Sequence, residues 1–309
     1  MNYRRKVILG KIETPTYGVD AVPVAATDAL LVRNCSIRPV NTELVDRELV
    51  KAYLGHDEQI PVTAGVAIDF EIEMVGSGVD GVAPAWGKLL RACGFAETIN
   101  GLVDVSYSPV SSGFDSLTLY YHQDGLLHKA LGCRGSVRMR MTPRQIPVFA
   151  FSFMGLKSTD TDVALPTPTL TAWQKPVAVN NANTSAFTLH GFAGKLYDQD
   201  IDLAALLVHR NLVGGEDISL TDRAPVGNIE IETPTIAQKD YFTIAKDGAL
   251  GAFAITHGIV NEFKVKVDLP AVQLINPEYT DRDGVLAMKM GLRLVPTAAG
   301  NDELKITAL

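Results

Sequence analysis

The stretch Val66–Met74, VAIDFEIEM, alternates without a break. Ile68, Phe70, Ile72 and Met74 fall on one side and Asp69, Glu71 and Glu73 on the other. A strict period of two predicts a half-buried β-strand, because successive side chains of a strand leave opposite faces. The habit recurs outward along the chain. SVRMRM (136–141) sets Val137, Met139 and Met141 against Arg138 and Arg140. GNIEIETP (227–234) sets Ile229 and Ile231 against Glu230 and Glu232. EFKVKVDL (262–269) alternates Phe263, Val265, Val267 and Leu269 with charged residues. GVLAMKMGLRLV (284–295) puts Leu286, Met288, Met290, Leu292 and Leu294 on one face. IPVFAFSFM (146–154) is apolar on both faces, as a strand covered on both sides would be. Asp124-Gly125 between apolar runs predicts a hairpin turn, and DRDG (281–284) reads as another.

One stretch breaks the pattern. In PAWGKLLRACGF (84–95) the apolar residues Trp86, Leu89, Leu90 and Cys93 are spaced i, i+3, i+4, i+7. That predicts a helix over 84–93 with one apolar stripe. Pro84 suits the first turn and Gly94 the position just past the end. So short a helix is marginal alone, so the stripe must pack on the strands. Cys93 lies on that stripe, where a thiol behaves as a small hydrophobe.

Composition narrows the classes. The 309 residues carry a formal net charge of −7, which argues against non-specific binding of nucleic acid. The acid excess is in the second half: residues 1–160 have 16 basic and 17 acidic groups, the remainder 12 and 18. Three widely spaced cysteines, with no C-x-x-C, point away from a disulfide framework or a zinc site. The start, MNYRRKVILGKIE, has too short an apolar run for a signal peptide, and no run is long enough to span a bilayer. GFAGKL (191–196) lacks the spacing of a P-loop, and the six histidines form no H-x-x-x-H. His122 and His128 flank a predicted turn and could approach across strands. No catalytic, metal or cofactor site is expected.

STDTDVALPTPTLTAWQKP (158–176) is rich in Thr, Asp and Pro and reads as a linker. It divides the chain into a first β module (1–157) with the helix and an N-terminal arm, and a second (177–309). The halves resemble each other weakly. FEIEM (70–74) is like IEIET (229–233), and GSVRMRMTP (135–143) is like NEFKVKVDLP (261–270). The helix has only a poor counterpart near 240–252, where Gly248 and Gly251 weaken it. Either the chain holds a divergent repeat or alternating strands merely look alike.

KVILGKIETPTYGVDAVPVAATDALLVRN (6–34), IDFEIEMVGSG (68–78), APAWGKLLRACGF (83–95) and LTDRAPVGNIEIE (220–232) resemble the major tail tube proteins of bacteriophages with long, non-contractile tails. The resemblance runs with gaps from about residue 6 to 235. It implies a mainly β fold: sandwich-like or barrel-like modules with a flanking helix, whose sheets join between subunits into an inner tube barrel. It implies a virion protein, assembled in the host cytoplasm, whose stacked rings pass DNA into the host. Its partners would be itself, the tail terminator, the tail tip and the tape measure protein. Tube walls of the family are usually acidic. The candidate lumen residues here are Asp69, Glu71, Glu73, Glu230 and Glu232. Two tandem modules would let three chains form a ring of pseudo-sixfold symmetry; a hexamer with the second half outside is the alternative. The N-terminal arm (1–28) and the loop VKAYLGHDEQIPVTAG (50–65), with Tyr53, His56, Asp57 and Glu58, are candidates for contacts between rings. A β-rich capsid or tail decoration, or a ligand-binding module, remains the competing class.

Overall fold

A computed structural model describes residues 2–309. The chain begins with β1 (Lys6–Ile12), β2 (Ala29–Leu30), β3 (Arg33–Val45) and β4 (Ile60–Glu73). Helix α1 (Gly87–Ala92) leads to β5 (Phe95–Asn100), β6 (Asp104–Pro109), β7 (Leu117–Gln123), β8 (Leu126–Met141) and β9 (Val148–Lys157). The short β10 (Thr161–Asp162) precedes β11 (Ala186–Leu189), β12 (Leu196–Asp202), β13 (Ala205–Leu212), β14 (Gly215–Arg223) and β15 (Val226–Glu232). Then come α2 (Tyr241–Asp247), β16 (Leu250–His257), β17 (Val265–Arg282), β18 (Val285–Leu294) and β19 (Lys305–Ala308). The protein is mainly β, and no barrel closes within one chain among the described residues.

The widest surface is an antiparallel run of eight strands in the order β3-β4-β9-β8-β12-β15-β18-β17. The first four come from the first half of the chain and the last four from the second. They join where Asp200, Ile201 and Asp202 of β12 stand opposite Arg140, Met139 and Arg138 of β8. The long strand β8 turns its first half to β7 and its second half to β12. Likewise β17 gives residues 265–273 to β16, while its outer stretch pairs only with β18.

Connectivity repeats. The series β1, β3, β4, α1, β7, β8, β9 recurs in the same order as β11, β12, β15, α2, β16, β17, β18. Pairings recur with it. β1 meets β7 as β11 meets β16, and β4 meets β9 as β15 meets β18. The match of 135–143 with 261–270 was out of step. The turn-proximal end of β8 corresponds by topology to the turn-proximal end of β17, near 275–282, because each runs into the hairpin that leads to β9 or β18.

The alternation seen in the sequence is the packing rule of the structure. Ile68, Phe70, Ile72 and Met74 are at most 2% exposed, with Phe149, Phe151 and Phe153 beside them. Trp86, Leu89, Leu90 and Cys93 of the α1 segment cover this layer. The Trp86 ring lies 5.0 Å from Phe149 and 5.4 Å from Tyr107. Both Asp-Gly pairs make tight hairpins with positive φ at each residue: 38° and 108° at Asp124-Gly125, 55° and 81° at Asp283-Gly284. Positive φ at both central positions gives the turn whose twist suits antiparallel strands.

Several expectations change. The α-helix begins at Gly87 rather than 84, preceded by turns in which Gly87 N–H donates to Pro84. The second helix is better formed than its sequence suggests. Asp240 caps its start by accepting from Thr243 N–H, and Gly248 ends it in the left-handed region at φ 65°. Gly251 lies outside it, in β16. β9 is not covered on both sides: Ala150 and Ser152 lie on the open face, kept small among charged neighbours. Phe263 sits in a 3-10 turn before β17, and Leu286 is exposed beside the hairpin turn. The segment 158–176 is a packed strap. Trp173 donates its indole N–H to Ala29 carbonyl at 2.9 Å, and Leu165 and Leu170 lie against Val7, Leu9 and Tyr120. Residues 2–28 are no loose arm either. β1 pairs with β7 along its whole length, and Glu13 is 7% exposed. His122 and His128 do not meet; the register puts Tyr121 opposite His128 and Leu127 opposite His122.

Candidate functional site

One face of the eight-strand sheet packs on the core and the other is open and polar. Asp69, Glu71 and Glu73 reach the open face because their strand neighbours are buried. Glu232 does so from β15; Glu230 projects from the same side of that strand but is buried, 6% exposed, under Arg282 and Thr280. All five predicted acids therefore share one surface, joined through the β8–β12 pairing. They are not bare carboxylates. Glu71 lies between two cations: Arg33 Nε is 3.3 Å from Oε2, and Arg140 contacts Oε1. Asp69 faces Arg38 at 4.0 Å and accepts from Ser152 at 2.5 Å. Glu230 is held by Arg282 and accepts from Thr280 at 2.6 Å. Glu232 meets Lys195 at 2.8 Å. Glu73 is the one of the five with no ion pair among the described residues. The Arg282 guanidinium, hydrogen-bonded to Glu230, holds that carboxyl below its usual range.

Sequence reasoning missed the third acidic row. LYDQDID (196–202) alternates Asp198, Asp200 and Asp202 against Gln199 and Ile201, and it forms β12 beside β8. The same period-two signal would have found it, but the row is short and its inward positions include Gln199. Asp200 takes a two-point grip from Arg138 through Nε, at 2.6 Å, and Nη2. The face is thus a lattice of alternating signs. Most of its arginines are already engaged by carboxylates, Arg138 in the two-point geometry in which guanidinium binds anions best.

Two strand edges of this sheet are open. Among the described residues, β3 pairs only with β4, and β17 beyond Gln273 pairs only with β18. Unpaired N–H and C=O groups along such edges are a template for strand addition. Beyond the sheet, β3 and β4 continue as a two-stranded arm whose tip is residues 46–59. Tyr53 is 72% exposed there, and Val50 and Leu54 are fully exposed. His56 and Glu58 are exposed too, whereas Asp57 is half-buried by an ion pair with Lys51. Residues 60–65 of the predicted loop belong to β4. The hairpin β13–β14, in the corresponding place of the second half, instead folds back on the first. Asn211 donates to Val62 carbonyl, and Arg134 of β8 donates to Ile218 carbonyl at 2.8 Å.

A wide sheet with one packed face, one polar face and free edges offers unpaired N–H and C=O groups to which a further strand can add. The family model described as phage tail tube protein matches residues 4–286. The chain belongs to that family. It is a structural component of the bacteriophage tail, of a family that self-associates into a tube. Among curated proteins, no relative matches the chain.

Proposed function

We propose that copies of this chain join edge to edge into rings, that the rings stack into the tube of a long, non-contractile tail, and that the polar face lines the bore through which the genome leaves for the host. The observation that carries this reading is the continuous eight-strand sheet. Its two four-strand halves lie side by side, with the five predicted acids on one surface.

The same observation favours three chains per ring over six. Three copies give 24 strands. At about 4.8 Å per strand the wall measures roughly 115 Å around, or about 37 Å across, and strand tilt near 40° widens it to about 48 Å. Side chains then leave room for duplex DNA, about 20 Å wide. Six copies with all eight strands in the wall would double that bore. A hexamer with the second half outside would break the β8–β12 pairing. Each chain then acts as two similar modules, 1–157 and 177–309, bridged by the strap.

A surface over which DNA slides must not hold phosphate. Net repulsion is one route, and occupying the cations is another. Arg33, Arg138, Arg140 and Arg282 are tied to Glu71, Asp200 and Glu230, so these four are not free to grip a backbone. The exposed tip around Tyr53, His56, Asp57 and Glu58 reaches the next ring, with apolar Val50 and Leu54 as its contact. Terminator and tip proteins close the ends, the tape measure protein occupies the bore before DNA does, and assembly proceeds in the host cytoplasm.

Cryo-electron microscopy of purified tails tests this. Rings of three chains, with Glu71 and Glu230 facing a bore on the order of 40 Å, are expected. A tube whose inner surface is another face of this chain would overturn the reading.

A further inference from the structure

The contact that joins the two halves of the chain has an unfilled counterpart at its ends, and the register of that counterpart can be read off residue by residue. On β4, Glu71 stands opposite Ala150 of β9, which stands opposite Arg138 of β8. On β15, Glu230 stands opposite Lys289 of β18, which stands opposite Glu278 of β17. Glu278 therefore occupies in the second half the place of Arg138 in the first. On the other flank, Asp69 is opposite Ser36 of β3, while Asn228 is opposite Asp200 of β12. Ser36 thus takes the place of Asp200, Ile37 that of Ile201, and Arg38 that of Asp202.

Within the chain, Asp202 faces Arg138 and Ile201 faces Met139. We infer that a second copy of this chain lays the β3 edge along the outer edge of β17 in the same register. Arg38 of one copy then stands opposite Glu278 of the next, Ile37 opposite Tyr279, and Ser36 opposite Thr280. This inference rests on the ring proposed above and deepens it to a specific pairing.

Three independent features fit. The signs are complementary but exchanged. The internal contact brings an acid from β12 to a base on β8, whereas this one brings a base from β3 to an acid on β17. The exchange matters for assembly. Arg38 repeats neither Asp202 nor its charge, so β3 suits the glutamate of β17 rather than the arginine of β8. That steers the edge strand away from pairing where β12 belongs.

Second, both charges are available. The Arg38 side chain is 68% exposed and reaches only Asp69, at 4.0 Å. Glu278 is exposed and has no ion pair among the described residues. Third, the apolar side of the contact is unfinished. Met139 and Ile201 are fully buried at the internal contact, but Tyr279 is 59% exposed and Ile37 only half-buried. A neighbouring strand would cover both, while Phe242 of α2 already backs the Tyr279 ring at 5.5 Å.

The test uses tails purified from phage carrying altered copies of the chain. In the first arm, Arg38→Glu or Glu278→Arg alone puts like charges opposite each other at every contact, and tail yield should drop at least tenfold. The double variant Arg38→Glu with Glu278→Arg should restore it. In the second arm, Ser36→Cys with Thr280→Cys should give, on mild oxidation, covalent dimers and closed trimers in denaturing gels. Neither single cysteine variant should do so, which controls for the native Cys35 nearby. Tubes of normal appearance in which this cysteine pair stays unlinked and the charge exchange gives no rescue would overturn the register while leaving the ring intact. Tails whose tube does not contain this chain would overturn the ring itself.

Discussion

The indole Nε1–H of Trp86 donates to the backbone carbonyl of Val75, 2.8 Å away in the buried interior. That bond ties the segment before α1 to the residues just after the acidic strand β4. Trp86 is 1% exposed and packs on Phe149 and Tyr107. Trp86→Ala is expected to destabilise the chain by about 3–5 kcal/mol through the cavity left behind. Trp86→Phe fills part of the space but leaves the carbonyl unpaired, and should cost about 1–3 kcal/mol. Urea unfolding of the isolated chain measures both. A loss below 1 kcal/mol for Trp86→Ala would refute the packing role.

Much of this was legible. Strict alternation marked the strands, the Asp-Gly pairs marked two hairpins, and the spacing of Trp86, Leu89, Leu90 and Cys93 marked the packed helix. What was hidden depends on partners distant in sequence. Glu230 looks like a free carboxylate in the chain; only the order of strands brings Arg282 to it. Nor does the N-terminal segment announce that it is tied down. In the fold, Glu13 accepts from Gly18 and Gly132 N–H and from the Ser116 and Thr118 hydroxyls. A buried acid with four donors leaves little local signal, since all but Gly18 come from more than 100 residues away.

Glu13 therefore gives a sharp prediction. Each of its two oxygens accepts one backbone N–H and one hydroxyl. Glu13→Gln keeps the shape, but either orientation of the amide turns an NH2 group toward a backbone N–H. The expected cost is about 1–3 kcal/mol, seen as a lower unfolding midpoint with an unchanged denaturant slope. Wild-type stability in this variant would mean that solvent, rather than Glu13, satisfies those donors.

Gly87 predicts a substitution that reverses helix propensity. Alanine in a helix is ordinarily favoured over glycine by about 1 kcal/mol. Here an added Cβ would lie 2.0 Å from the Tyr107 hydroxyl oxygen and 3.0 Å from Glu97 Oε2. Tyr107 is fully buried and donates to Glu97 at 2.8 Å, so it has little room to withdraw. Gly87→Ala should destabilise by about 1–3 kcal/mol in thermal unfolding. A gain in stability would show that α1 can move off the sheet.

Stability should depend on pH in two steps. Burial holds His122, His190 and His257 below the ordinary 6.5. The folded state thus prefers neutral rings, so their contribution is complete above about pH 6.5 and shrinks as pH falls below it. Glu230 is depressed below its usual 4.5 by Arg282. Its contribution is present above that value and is lost as pH falls through the lower folded pKa. Unfolding midpoints should be level from pH 7 to 8, decline gently toward pH 5, and fall steeply below about 4.5. His122, which has burial alone as its cause, should lose its share of the gentle slope in His122→Leu. Midpoints that rise between pH 7 and 5 would contradict this.

The last prediction concerns the polar face. If its arginines are quiet because carboxylates occupy them, removing one acid should expose two cations at once. Glu71 is that acid, lying between Arg33 and Arg140. Glu71→Gln leaves both guanidinium groups beside a neutral amide, on a face already open in the single chain. Wild-type protein should show no measurable retention of a short DNA duplex at 50 mM salt, whereas Glu71→Gln should retain it. Binding through about two phosphates falls with salt at a log–log slope near −2, so retention should drop more than tenfold between 50 and 200 mM. Glu73→Gln is the control, because Glu73 has no ion pair among the described residues and its loss frees no cation. Equal retention by both variants would mean that net charge, rather than occupied arginines, keeps DNA from sticking.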